Sequence, residues 1–232
     1  MIVWVRVETP EKYELKQGDF HLKRRFEELS GDLCLVIHLS QMDPGVLQAL
    51  KPRALLLSGC GTFFRHFKPE SLYPFEDTLH AMPDVPTIGF CGSHQFLGIM
   101  FNDGFRNLTE LDDEMMRPLK PGEPDPQSDP NPEAAGFYSE EGFHSVQALS
   151  TDPLFDGLPE RFVVRESHYA EVKRLPPDFN LIASNENCRI QAMKHRTRPL
   201  YGTQFHPEAW VETYPHGREI LQNFFRIAGI LP

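Results

Sequence analysis

The chain has 232 residues, 40% hydrophobic and 24% charged, which is long enough to bury one sizeable core and too ordinary for a collagenous, coiled-coil or wholly disordered protein. Its 33 acidic against 23 basic side chains give a formal charge of -10, which argues against a broad cationic face for nucleic acid or anionic lipid and favours a small polar ligand or a protein partner. No apolar run approaches the roughly 20 residues of a membrane helix, and Arg6 interrupts the opening apolar run too early for a signal peptide, so a soluble, cytoplasmic chain is expected, with no nucleic-acid or membrane partner.

Ile2 to Val7 predicts an opening strand, and Leu22, Phe26 and Leu29 at helical spacing predict a helix over His21 to Leu29. The dense apolar run Leu33 to Leu39 predicts a central strand covered on both faces. Asp43 followed by Pro44 forms an N-cap with proline at the first helical position, opening a helix through Leu50. Ala54 to Leu57 predicts a third strand that runs straight into Ser58-Gly59-Cys60-Gly61, a turn at the kind of strand end where open α/β sheets bind ligands. A helix from Leu72 to Ala81 and a fourth strand from Pro86 to Phe90 lead into Cys91-Gly92-Ser93-His94-Gln95 and a helical stretch through Met100.

Between Met115 and Glu133 the pattern breaks. Six prolines from Pro118 to Pro132 stand among polar residues, which predicts a surface excursion, mobile and dispensable, rather than a domain boundary. Strand-like runs follow at Phe143 to Leu149, Phe162 to Glu166, Leu181 to Ser184, Ile190 to Lys194 and Leu200 to Phe205. A closing helix near Arg218 to Ala228 turns Ile220, Leu221, Phe224 and Phe225 inward. The alternation predicts one α/β domain over residues 1 to 232, with a largely parallel central sheet.

Cys34, Cys60, Cys91 and Cys188 show no C-x-x-C or paired Cys/His spacing, so neither zinc nor a disulfide framework is expected, and no cofactor is implied. Cys91 has the setting of a nucleophile elbow, because Gly89 precedes it, small Gly92 and Ser93 follow, and a helix N-terminus favours a thiolate and aims free N–H groups at an oxyanion. Taken alone, a buried structural cysteine is equally good. His206-Pro207-Glu208, at the end of another strand, supplies a base and an orienting carboxylate, although a surface histidine before a Pro-Glu helix start explains that tripeptide better by itself.

Together these stretches resemble the class I glutamine amidotransferases, in the family's order: Leu57-Ser58-Gly59, Gly89-Phe90-Cys91-Gly92-Ser93-His94-Gln95, and Gly202-Thr203-Gln204-Phe205-His206-Pro207-Glu208. Ser167-His168-Tyr169-Ala170-Glu171-Val172 and Asp152 to Leu158 resemble two further family segments. The resemblance covers Ala54 to the C-terminus. It implies a flavodoxin-like three-layer fold and a Cys91-His206-Glu208 triad hydrolysing the glutamine side-chain amide. It also implies oxyanion donors near Gly59 and Gly92, and substrate contacts from Gln95, Ser167 and the backbone of His168. His94 is expected to be structural, and Cys60 a small apolar turn residue.

The ammonia acceptor is expected on a separate synthetase or transferase subunit. Two positions depart from the family pattern: Gly59-Cys60-Gly61 stands where Gly-Gly-Pro is usual, and Gly92-Ser93 looks like a glycine moved by one place. These departures keep a γ-glutamyl peptidase or hydrolase as the rival reading, and a non-catalytic, partner-regulated module as the second.

Overall fold

The computed structural model describes residues 1–15, 20–125 and 132–232. In chain order the strands are β1 (Ile2–Arg6), β2 (Cys34–His38), β3 (Ala54–Leu57), β4 (Thr87–Phe90), β5 (Glu140–Ala148), β6 (Arg161–His168), β7 (Phe179–Ser184), β8 (Ala192–His195) and β9 (Leu200–Thr203). The α-helices are α1 (Pro10–Leu15), α2 (Phe20–Ser30), α3 (Pro44–Leu50), α4 (Tyr73–Ala81), α5 (Gly92–Asn102) and α6 (His216–Ile227). The strands form one sheet in the order β2-β1-β3-β4-β9-β8-β7-β5-β6.

Pairing is parallel from β2 to β9 and antiparallel from there to β6. The parallel half follows the flavodoxin-like order, with its reversal point between β1 and β3.

Alternation along the inner strands explains the three layers. Val3, Val5, Leu55 and Leu57 face the side packed by Leu47 of α3, Phe75 and Leu79 of α4 and Phe96 and Leu97 of α5. Ile2, Trp4, Ala54 and Leu56 face the other side, where Phe26 of α2 and Ile220, Leu221, Phe224 and Phe225 of α6 cover them. The predicted cap at α3 is present, with the Asp43 carboxylate accepting from Val46 N–H at 2.8 Å.

One expectation needs correction. The run Leu33 to Leu39 is no central strand: β2 is outermost, with Leu33 75% and Leu35 37% exposed, because an apolar run gives burial tendency but not strand order. The Pro-rich excursion falls partly on residues 126–131, which lie outside the described residues. Its described flanks are tied down. Met116 is buried and its N–H donates to Tyr169 O at 2.8 Å, Leu119 N–H donates to Gly136 O at 2.9 Å, and Arg117 holds Glu123 through two 2.7 Å contacts.

Candidate active site

The carboxyl ends of β1, β3, β4 and β9 open into a cleft of about 560 Å³, lined among others by Arg6, Gly59, Cys91, Ser167, Tyr169 and His206. Cys91 stands between β4 and α5 with φ 45° and ψ -107°, one of two non-glycine residues at positive φ among those described. Such a conformation costs on the order of 1–3 kcal/mol and persists where the surroundings impose it. Here Cys91 N–H donates to Thr203 O at 2.7 Å, and Cys91 O accepts from Gln95 N–H at 3.0 Å. Gly89 leaves little room beneath the elbow, where a Cβ would press on Leu97 and Ser93 at 3.2 Å.

His206 Nδ1 lies 2.7 Å from Glu208 Oε1, across the turn that Pro207 stiffens. Burial works against the imidazolium, yet the Glu208 carboxylate and the Cys91 sulfur outweigh it, and His206 is pushed well above its ordinary value. Gly59 borders both reactive side chains, which lie within hydrogen-bond reach of each other. A Cβ on it would lie 2.8 Å from His206 Cε1 and 3.5 Å from Cys91 Cβ, so only glycine fits. Gly92 opens α5, where an N–H has no partner within the helix, but the residue itself is buried against Cys60 and does not line the cleft.

The departures at Cys60 and Gly92 fit one another. A Cβ on Gly92 would come within 2.5 Å of Cys60 Cβ and 2.8 Å of Cys60 N, so the cysteine occupies room that the glycine leaves. Ser93 is buried, and its hydroxyl donates to Ser58 O, tying the elbow to the end of β3. The loop after β3 is braced by Glu8, two residues beyond the end of β1, a residue with no distinguishing signal in the sequence. Its carboxylate accepts from Gly61 N–H at 3.1 Å and from the Thr62 hydroxyl. Burial and Glu8 raise the Cys60 thiol well above its usual value, which keeps it protonated.

The remaining predicted residues have divided fates. Ser167 lines the cleft, its carbonyl 3.7 Å from Cys91 Sγ, while Arg165 O accepts His206 N–H at 2.8 Å, so the end of β6 touches both reactive residues. The structure does not bring Gln95 to the cleft lining. Its amide instead donates to Ala170 O at 2.9 Å and to Gln204 Oε1 at 3.2 Å. His168 turns its ring away, into a buried cluster where Nε2 meets Glu140 Oε2 at 3.1 Å and Glu166 Oε2 at 3.3 Å.

Glu140, Glu166 and His168 present ligand atoms within 4.8 Å of one another, the kind of set that could hold a metal. Its chemistry fits a proton better. Burial opposes the imidazolium, but hydrogen bonds to both carboxylates push His168 up to about 10, and Glu140 is filled by donors from Asn185, Asn187 and Gln191. His94 is structural as expected: fully buried, Nε2 3.0 Å from Ile190 O, its pKa lowered to about 3 by burial.

Arg25 of α2 is a further residue that the sequence does not announce. Its guanidinium donates to Glu208 O at 2.9 Å and Trp210 O at 3.1 Å while lying 4.7 Å from the Trp210 ring centroid. It clips down the turn that carries Glu208. Nothing in the helical spacing distinguishes it from its neighbours Lys23 and Arg24.

The model of the family described as glutamine amidotransferase class-I matches residues 34–228. The chain is 32% identical over 185 residues to the glutamine-hydrolyzing GMP synthase subunit of Pyrococcus abyssi, covering 80% of each chain. Among solved structures, a protein from Thermoplasma acidophilum described as a GMP synthase subunit superposes with a TM-score of 0.70 at 25% identity, covering 99% of this chain and 95% of that one. The glutaminase domain of Trypanosoma brucei CTPS with bound acivicin superposes with a TM-score of 0.65 at 13% identity over 100% and 95% of the two chains, a likeness of fold alone.

Proposed function

The chain belongs to the class I glutamine amidotransferase family, and from that premise we propose that it hydrolyses the side-chain amide of glutamine and hands the ammonia to an acceptor on a separate synthetase subunit. The observation that carries the reading is the convergence of Cys91, His206 and Glu208 on one cleft at the carboxyl ends of the strands, with the Gly59 backbone beside both reactive side chains. The relatives that cover most of this chain are subunits named for glutamine hydrolysis in GMP synthesis, which makes a GMP-forming synthetase the first partner to test.

In the proposed reaction the Cys91 thiolate attacks the γ-carboxamide carbon, and the N–H at Gly59, which lines the cleft, receives the oxyanion. His206, held as imidazolium, gives its proton to the departing nitrogen, which leaves as ammonia and a γ-glutamyl thioester remains. The now neutral His206 takes a proton from water, the hydroxide attacks the thioester carbon, and glutamate departs as the thiolate reforms. Glu208 keeps the ring in place through both steps. Cytoplasmic residence accords with reduced thiols, and among the described residues no helix is long and apolar enough to cross a membrane.

Steady-state ammonia release from glutamine and from γ-glutamyl dipeptides, each with and without a GMP-forming synthetase, tests this. Preference for glutamine with activation by the synthetase is the expected result. A much larger kcat/KM for a dipeptide would establish the peptidase reading, and no turnover of either would leave a non-catalytic module.

A further inference from the structure

The amide of Gln204 is fixed in orientation by a short chain of hydrogen bonds that ends on the reactive sulfur. Ala170 O can only accept, so the end of the Gln95 side chain 2.9 Å from it is Nε2. That same Nε2 lies 3.2 Å from the Gln204 side chain, whose facing atom must then be the carbonyl oxygen. The other end of Gln204 is therefore its NH₂ group, 3.6 Å from Cys91 Sγ. Oxygen and nitrogen of a side-chain amide are assigned from such networks, and here a backbone carbonyl at the far end leaves one assignment. Both glutamines are buried, Gln204 completely, and the Gln204 backbone is held by its N–H on Gln191 O at 2.8 Å.

From this geometry we propose that Gln204 is a further catalytic residue, a fixed N–H donor to the Cys91 sulfur, and that Gln95 is the positioning residue that aims it. The proposal rests on Cys91 being the nucleophile. The sulfur lies between two neutral groups of opposite preference. Ser167 O, 3.7 Å away, can accept from the protonated thiol, whereas the Gln204 amide favours the thiolate, because a donor stabilises negative charge. The same donor serves the thiolate again when it leaves the thioester. The chain also gives Gln95 a task its distance from the cleft lining would otherwise leave unexplained.

The test is the pH dependence of Cys91 alkylation by iodoacetamide, followed on the Cys91 peptide by mass spectrometry. Ionisable groups that act on the sulfur are His206 on the turn after β9 and His168 and Tyr169 at the end of β6, and all are left intact. Gln204→Leu is expected to move the profile alkaline by about one pH unit, roughly tenfold slower labelling at neutral pH, the size of a modest charge-assisted hydrogen bond. Gln204→Glu should move it at least as far, since a carboxylate opposes the sulfur charge, and Gln95→Leu should move it less by freeing the amide to rotate. A folded Gln204→Leu protein whose profile superimposes on the wild type would overturn the proposal, even if its turnover is lost.

Should the leucine variant not fold, the side-chain amide resonance of Gln204 in the ¹⁵N-labelled wild type decides: it is expected to titrate with the thiol, and a resonance static across that range would refute the contact. Neither measurement uses glutamine. A chain that does not hydrolyse glutamine but gives the alkylation shift would sink the proposed function and leave Gln204 in its role.

Discussion

Cys60 fills the space that Gly92 leaves empty: a Cβ on Gly92 would lie 2.5 Å from the Cβ of Cys60. The glycine in the elbow thus leaves room for the loop after β3 to pack directly against the start of α5. Gly92→Ala should destabilise the chain by about 1–3 kcal/mol, the usual cost of overpacking, with a parallel loss of glutaminase activity. Adding Cys60→Gly should recover part of that loss and not all, since Cys60 N and Cα would still lie 2.8 and 3.2 Å from the new methyl. Thermal unfolding of the two single variants and the double variant measures the recovery, and simple additivity would refute the pairing.

Of the proposed triad, His206→Ala should cost more than Glu208→Ala, because it removes the proton carrier whereas the carboxylate only holds it. General acid–base catalysis is commonly worth about 10²–10⁴-fold, and both variants should unfold near the wild-type temperature. Wild-type kinetics in Glu208→Ala would mean that His206 is oriented by another group.

Arg25 lies in the sequence 183 residues before Glu208 and donates to its carbonyl. Arg25→Ala should lower kcat with little change in KM for glutamine, and Arg25→Lys should restore only part of it, since an ammonium can reach the carbonyls but lacks the planar face that stacks on Trp210. The decisive measurement is the double variant. If Arg25 acts through Glu208, then Arg25→Ala adds little once Glu208→Ala is present, whereas a general stability effect would add in full.

The triad candidates were legible in the sequence because each sits in chemistry that is local along the chain: a strand, a tight glycine turn and a helix start at Cys91, and a proline between His206 and Glu208. The inner strands were legible for the same reason. What stayed hidden is contact across the fold. Gln204 meets Cys91 across 113 residues and Gln95 across 109, and Glu140 meets His168 across 28, with no periodicity to announce any of them. Strand order is equally non-local, which is why the apolar run of β2 suggests a central strand and lies at the edge.

The buried cluster gives the fold an alkaline limit. His168 is raised in the folded chain from 6.5 to about 10, so its contribution to stability is complete below about pH 6.5 and is lost as the pH climbs towards 10. Glu166, raised by burial, acts with the same sign, while Glu140 is held below its usual value despite burial, by His168 and two asparagines, and loses its contribution on the acid side. Urea midpoints measured from pH 6 to 10 should fall towards the alkaline end. His168→Gln should be less stable at pH 6 and fall less steeply above it, keeping the part that the raised His206 contributes, and an equally steep fall in that variant would place the titrating group elsewhere.

The central claim is that Cys91 is the nucleophile toward glutamine, and the most direct measurement is covalent labelling by a diazo-ketone glutamine analogue, mapped by mass spectrometry. The account predicts one adduct, on Cys91, suppressed by excess glutamine and absent from Cys91→Ala. An adduct on Cys60 or Cys34 with Cys91 unmodified would contradict it.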